Sequence, residues 1–213
     1  MSITIPRGLQ DITLDKYQKL VANEKINDES VVSLMCNITI ADIRQLPNNT
    51  YHEVVNQVMS TLEDANKQQE VQVTFKLDGV QYGMIPNLEE ITYGENKDLT
   101  TYLQDWKTMH MAMAVLFRPI VMKNKDMYVI EPYEGTSKYK DVMKHMPLDI
   151  VIGAQSFFYN LTEALLYAIP NYLNKLKDSN NKEQIHKAST KQIGEAMTKS
   201  IALLKETLEG LKR

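Results

Sequence analysis

"VQVTFKLDGVQYGM", residues 71–84, decides the fold class because it predicts a tight β-hairpin. Its dipeptide Asp78-Gly79 suits a type I′ turn, in which both central residues need positive φ angles. The turn then defines three cross-strand pairs, which are Leu77–Val80, Phe75–Tyr82 and Val73–Met84. All six side chains are apolar or aromatic and fall on one face, so the turn chemistry and the hydrophobic pattern predict the same register.

The flanking sequence adds a second hairpin and several helices. The stretch "IVMKNKDMYVIEPY" predicts another hairpin near residues 119–132, with a polar loop around 123–126. Residues 98–117 predict one continuous helix, which Arg118-Pro119 closes, because apolar side chains recur three or four positions apart: Leu99, Tyr102, Trp106, Met109, Met113 and Leu116. We therefore expect an α+β fold, a mainly helical single domain with one or two small β-hairpins and a C-terminal amphipathic helix.

Element ends are predicted from local signals. Ile3 and Ile5 alternate with polar residues before a proline, which is typical of a short edge strand. Thr13 suits the N-cap of a helix. The spacings Thr50–Glu53 and Thr92–Glu95 each match a capping box, in which two side chains satisfy the first free N–H groups of a helix.

The chain is expected to have two parts. Residues 1–175 form the helical body, with hairpins near 71–86 and 119–132, and residues 176–213 form a polar linker followed by an amphipathic helix. In that helix, apolar residues repeat at intervals of three or four positions, which predicts a narrow apolar seam suited to packing on the body or on a partner helix. The seam residues are the candidate partner-binding site: Ile193, Met197, Ile201, Leu204, Leu208 and Leu211.

Composition excludes some classes of function. The net charge of −3 is unfavourable for a chain that coats nucleic acid, which needs a basic surface to displace phosphate counterions. Cys36 is the sole cysteine, so neither an intrachain disulfide nor a cysteine-based zinc site is expected. Residues 150–174 are nearly uncharged, and interrupting polar residues favour a buried core helix over a membrane span.

The sequence contains no recognisable catalytic motif. The four histidines, His52, His110, His145 and His186, fall on different predicted elements. His52-Glu53 begins like a metalloprotease motif, but Asn56 occupies the position of the second histidine. Cys36 lies in an apolar stretch that favours a raised thiol pKa and a role in packing. We therefore predict no catalytic, cofactor-binding or metal-binding residues, and no enzyme activity.

Methionine is enriched in one region. Seven of the twelve methionines lie between Met109 and Met146. Core filling is the favoured interpretation, and the alternative is an adaptable surface for a partner, because a flexible thioether side chain suits both.

Four stretches together resemble a family of proteins encoded in tailed-phage genomes. They are "ITLDKYQKL" (12–20), "FKLDGVQYGMIPNLEEITYGE" (75–95), "DLTTYLQDWKTMHMAMAVLFRPI" (98–120) and "YVIEPYEGTSKYKDVMKHMPLDIVIGAQSFFYNL" (128–161). The resemblance extends over about residues 9–175. It implies a phage morphogenesis protein, often labelled a tail assembly chaperone.

The resemblance leaves two roles open. In the first, the chain is a non-enzymatic chaperone that binds another phage tail protein, such as the tape-measure protein, in the host cytoplasm during assembly. In the second, it is a stoichiometric structural subunit of the neck, tail or baseplate that is retained in the virion. Both roles imply a homo- or hetero-oligomer, and neither implies a nucleic acid, a membrane or a cofactor.

Overall fold

A computed structural model describes residues 3–23, 26–125, 127–158 and 160. It confirms the predicted α+β, mainly helical class. The α-helices in the described part are α1 (Leu14–Val21), α2 (Asp28–Cys36), α3 (Ile40–Ile43), α4 (Asn48–Glu63), α5 (Tyr93–Tyr102), α6 (Met109–Leu116), α7 (Lys140–Met143) and α8 (148–158). Short 3-10 helices occur at Leu9–Asp11, Asp64–Asn66, Leu88–Glu90, Trp106–Thr108 and Thr136–Lys138.

Four strands form one antiparallel sheet in chain order: β1 (Thr74–Leu77), β2 (Val80–Met84), β3 (Phe117–Asn124) and β4 (Met127–Ile130). The predicted register of the first hairpin is confirmed, since Leu77 pairs with Val80 and Phe75 with Tyr82. Its turn residues have positive φ angles of 47° and 83°, as a type I′ turn requires. The predicted second hairpin is confirmed as β3–β4.

Two of the predicted helix caps are confirmed. The side chain of Thr13 accepts a hydrogen bond from the backbone N–H of Lys16 at the start of α1. Thr92 and Glu95 form a capping box at the start of α5. The box predicted for Thr50 is wrong, because α4 begins two residues earlier, at Asn48, and Thr50 therefore lies inside the first turn.

The predicted edge strand at Ile3 and Ile5 is also wrong. Residues 3–7 have no strand pairing, and both isoleucines pack against the helical core cluster. In a strand with one polar face, polar and apolar side chains alternate along the chain. Here the two apolar side chains are used for packing on helices, which does not require a sheet neighbour.

The helix predicted for residues 98–117 is interrupted. α5 ends at Tyr102, and Asp105 has extended backbone angles before a 3-10 turn leads into α6. The Asp105 side chain accepts from Lys107 N at 2.9 Å, and the Thr108 hydroxyl donates to Tyr102 O at 2.9 Å. These local side-chain bonds offer the backbone an alternative to a continuous helix. Pro119 lies inside β3, opposite Tyr82.

The core has a helical part and a part next to the sheet. In the helical part, side chains of α2, α4 and the start of α8 are fully buried, as Val32, Val58 and Leu148 illustrate. Next to the sheet, α6 is buried along nearly its whole length, and the ring of Phe117 meets that of Phe75 edge to face at 5.2 Å. α6 continues directly into β3, so this buried helix positions the first strand of the second hairpin.

The chain divides into two units, Met1–Gly153 and Ala154–Arg213. The described part of the second unit consists of residues 154–158 and 160, where the rings of Phe157 and Phe158 meet edge to face at 5.1 Å. Within the described residues, no helix combines the length and the apolar character that a membrane span requires.

Candidate functional site

The partner-binding residues predicted from the sequence, Ile193, Met197, Ile201, Leu204, Leu208 and Leu211, lie outside the described residues. His186 lies outside them as well. The structure therefore neither brings the seam residues together nor separates them. In the described part of the chain, no group of three or more His, Cys, Asp or Glu side chains is arranged to hold a metal ion.

Cys36 is packed as the sequence predicts. Its side chain is buried at the end of α2, and burial raises the pKa of the thiol, although the nearby Lys16 amine opposes this effect. Lys16 Nζ in turn donates to the backbone oxygen of Met35 at 2.8 Å. A buried thiol with a raised pKa is a poor nucleophile, so Cys36 is a packing residue.

The β3–β4 hairpin exposes a group of apolar side chains. Four of its apolar side chains are largely exposed: Val121 (58%), Met122 (66%), Met127 (73%) and Val129 (52%). We call these four residues the hairpin patch. Single exposed apolar residues are ordinary, but a contiguous group on one element marks an interaction surface. Since they occupy paired strands joined by a tight turn, the four lie close together.

A β-bulge explains why the patch faces outward. Ile120 pairs with Ile130 and Met122 pairs with Val129, so Val121 is one extra residue in β3. If Val121 were paired regularly with Val129, Met122 would share the face of Ile120, because side chains alternate along a strand. The bulge reverses the alternation and moves Met122 to the outer face with Val129.

The inner face of the same hairpin is firmly packed. Tyr128 lies over Gly83 of β2, and its hydroxyl donates to Met84 O at 2.8 Å and approaches Val73 O at 3.3 Å. A Cβ atom at Gly83 would lie 2.5 Å from the Tyr128 ring, so glycine is needed there. Burial raises the pKa of Tyr128 to about 12, which keeps the hydroxyl protonated as a donor. The hairpin is therefore anchored on one face and exposed on the other.

A buried ion pair anchors the base of β3. Arg118 Nη1 donates to Glu95 Oε1 of α5 at 2.5 Å, and the two side chains are only 7% and 6% exposed. The second oxygen of Glu95 accepts from Thr92 N and from Thr92 Oγ1, each at 2.7 Å. Burial alone would raise the pKa of Glu95, but the Thr92 hydrogen bonds and Arg118 outweigh burial and hold it below its usual value.

Two further side chains complete this cluster. The Arg118 guanidinium lies over the ring of Tyr133, 5.5 Å from its centroid. The Tyr133 hydroxyl donates to Asp98 Oδ2, and burial together with that carboxylate raises the pKa of the tyrosine. Cation–π contact and charged hydrogen bonds thus connect α5, β3 and the segment after β4. Arg118 Nε is buried without a hydrogen-bond partner in the described structure.

Six of the seven methionines between Met109 and Met146 fall into two groups, one buried and one exposed. Met109, Met113, Met143 and Met146 are fully buried and fill the core. Met122 and Met127, in contrast, belong to the hairpin patch. Methionine is enriched in protein interfaces because its flexible, polarisable side chain adapts to a partner.

His110 has a structural position. It is buried on α6, and its Nδ1 atom lies 3.1 Å from Nε2 of Gln18 on α1. The same amide nitrogen donates to the backbone oxygen of Trp106, so its two hydrogens are directed at that oxygen and at the ring nitrogen. Burial, assisted by Lys144, lowers the pKa of His110. The neutral ring therefore accepts a hydrogen bond and links α1 to α6.

The hairpin patch was missed by reasoning from the sequence, although a signal was present. In "IVMKNKDMYVI" both alternating sets of side chains are apolar, whereas only one face of a hairpin can pack on the core. When each face of the hairpin has an apolar set of side chains, one of the two sets must therefore be exposed to solvent. Comparison with protein-family models, curated proteins and solved structures gives no match for the chain.

Proposed function

We propose that this chain is a non-enzymatic phage morphogenesis protein, similar to a tail assembly chaperone, which binds another phage tail protein. The observation that carries the proposal is the hairpin patch, an apolar surface on a firmly anchored hairpin. An apolar surface of this kind suits protein binding, because burying it on a partner removes it from water. The resemblance of residues 9–175 to tailed-phage proteins supports the phage context.

The partner we favour is the tape-measure protein of the tail. It is a long helical protein, and an unassembled helical protein presents apolar stripes that need a temporary cover. The two exposed methionines suit such stripes, since methionine-rich surfaces repack against varied apolar partners. The proposed site of action is the host cytoplasm during assembly, with no cofactor, metal, nucleic acid or membrane required.

The direct test is binding between the purified chain and the tape-measure protein encoded by the same phage genome. Replacing both Met122 and Met127 with Asp should weaken binding at least about tenfold, because two charges then face an apolar partner surface. Ile40→Asp is the matched control, since Ile40 is an exposed apolar residue on a helix away from the sheet. The control should bind like the unmodified chain.

A second variant tests the seam predicted from the sequence. Replacing Leu204 and Leu208 with Asp should also weaken binding if the C-terminal helix contributes to the same interface. Loss of binding in the seam variant alone would assign the interface to the seam and refute the role of the hairpin. Equal binding by all four proteins would refute the proposed function.

The alternative role is a stoichiometric structural subunit of the neck, tail or baseplate. Quantitative mass spectrometry of purified virions and of infected-cell lysate separates the two roles. A chaperone should be abundant in lysate and absent from particles. A fixed ratio to the portal or tail proteins in particles would instead establish the structural role.

A further inference from the structure

The outer edge of β4 has one structural property that the hairpin patch does not explain. Strand order places β4 at an edge of the sheet, and within the described residues no strand pairs with its outer side. Edge strands present backbone N–H and C=O groups that can pair with another chain, so proteins usually shorten or cover them. The backbone N–H and C=O groups on this edge are therefore a candidate site for pairing with another strand. The length of the edge and the charges along it indicate which strand fits.

The outward groups of β4 can be identified from its hydrogen bonds. Glu131 N donates inward, to Pro119 O of β3, at 3.0 Å. Successive residues direct their backbone N–H and C=O groups to opposite sides of the strand. The backbone groups of Val129 therefore also point toward β3, whereas those of Tyr128 and Ile130 point away from it. Pro132 is the next outward position, and it has no N–H to donate. Tyr128 and Ile130 thus each direct one donor and one acceptor away from β3, and Ile130 as a whole is 8% exposed.

The geometry points to a second copy of this chain as the occupant of that edge, paired antiparallel about a two-fold axis at Val129. In this arrangement Tyr128 of each copy faces Ile130 of the other, and each such pair exchanges two hydrogen bonds. The outward N–H and C=O groups of Tyr128 and Ile130 are then all satisfied. A longer foreign strand would meet Pro132, where the ladder cannot continue.

Charge along the hairpin favours the same antiparallel arrangement. The turn end carries the exposed Lys123 and Lys125, which outnumber the single acidic residue of the loop sequence. The segment after β4 carries the exposed Glu134 and also Glu131, whose carboxylate is already paired with Lys138 at 2.6 Å. Antiparallel pairing places the basic end of one copy near Glu134 of the other, whereas a parallel arrangement would place the two basic ends together. This distribution of charge therefore favours the two-fold arrangement.

Pairing at the edge leaves the outer face of the hairpin free. The residues Met122, Met127 and Val129 of the two copies would form one continuous apolar surface, with Val129 of both copies at its centre. The inference rests on the proposed role of the hairpin as an interface and specifies how two copies assemble it. Self-association is measured on the purified chain alone, so its failure is distinct from failure to bind a tail protein.

A disulfide test examines the predicted register. Val129 of one copy would oppose Val129 of the other as a non-hydrogen-bonded pair, with Cα atoms about 4.5 Å apart. A Val129→Cys chain should therefore form a covalent dimer when oxidised glutathione accepts the two electrons and two protons of the thiols. The buried Cys36 does not compete, because its thiol pKa is raised.

The matched control is Met127→Cys, on the same strand and the same face. Its two copies would lie roughly 14 Å apart across the axis, beyond the reach of a disulfide. Rapid cross-linking of the Val129→Cys chain with little for the Met127→Cys chain is the expected result. Equal cross-linking of both, or none in the Val129→Cys chain, would overturn the inference.

Sedimentation equilibrium provides an independent measurement without cysteine. Val129→Asp and Val129→Lys should each weaken self-association at least about tenfold, because like charges would face each other at the axis. An equimolar mixture of the two should associate again, since Asp then opposes Lys. An unmodified chain that remains monomeric up to about 0.1 mM, or a mixture that does not associate, would refute two-fold pairing.

Discussion

The buried ion pair Glu95–Arg118 should contribute strongly to the stability of the fold. The pair joins α5 to the base of β3, at 2.5 Å, with both side chains less than a tenth exposed. We consider Glu95→Gln, Arg118→Met and the double variant. A glutamine side chain has nearly the same shape as glutamate and can still accept hydrogen bonds from Thr92, so Glu95→Gln removes the charge while retaining the helix cap.

The expected magnitudes follow from burial. Removing one partner of a buried ion pair leaves the other charge uncompensated, which costs about 3–5 kcal/mol of the free energy of unfolding. A domain is typically stable by only about 5–15 kcal/mol, so each single variant should be severely destabilised. The double variant has no unpaired charge, and its cost should fall at least about 2 kcal/mol below the sum of the single costs.

Urea denaturation followed by circular dichroism at pH 7 gives the three free energies. The exposed pair Arg44–Glu29 provides a matched control, because its ion pair has the same chemistry at the surface. Glu29→Gln should leave the unfolding free energy almost unchanged, since solvent and salt screen an exposed pair. Additive single costs, or a Glu95→Gln variant as stable as the control, would refute the account of the buried pair.

Acid should reproduce the effect of Glu95→Gln in the unmodified chain. The pKa of Glu95 is lowered in the folded state, so its contribution is present above the unfolded pKa, near 4.5. The contribution is lost as the pH falls from that value through the folded pKa. The free energy of unfolding of Glu95→Gln should therefore depend less on pH below about 4.5 than that of the unmodified chain.

Two further predictions concern packing and histidine. Gly153→Ala should destabilise the fold by about 1–3 kcal/mol in thermal or urea unfolding, because the added Cβ would lie 2.3 Å from the backbone oxygen of Glu70. This clash costs more than the gain of about 1 kcal/mol in helix propensity from alanine. A variant more stable than the unmodified chain would contradict this reasoning. His110 has a lowered pKa in the fold, so its stabilising effect is present above the unfolded value of 6.5 and declines as the pH falls below it. Melting temperatures between pH 7.5 and 5.5 should fall more steeply for the native chain than for His110→Gln, and parallel curves would show that the bond to Gln18 is unimportant.

Local chemistry explains which parts of the fold were predictable. The first hairpin was predicted in register because Asp78-Gly79 determines the turn without reference to distant residues. The cap at Thr92 was predicted for the same reason. The break after Tyr102 was missed because the apolar spacing continues through it, whereas Asp105 and Thr108 interrupt the helix through hydrogen bonds that a hydrophobic pattern does not record.

The candidate site was less predictable because it depends on pairs that are distant in sequence. Glu95 and Arg118 are 23 residues apart, and their contact follows from the packing of α5 beside β3. The outward direction of Met122 depends on a one-residue shift in register between β3 and β4. Regular alternation alone would place the Met122 side chain on the opposite face. Proposals for the seam from Ile193 to Leu211 remain predictions, since those residues lie outside the described part.

The bulge at Val121 separates the packing of the inner face of the hairpin from the choice of residues on its outer face. These two requirements usually constrain each other during evolution. The inner face must preserve the fit of Tyr128 over Gly83, whereas the outer positions at Met122 and Val129 have no such packing to preserve. Substitutions on the outer face can therefore accumulate with little effect on folding. Under the proposed function, a lineage can exchange one binding partner for another there while its fold stays the same.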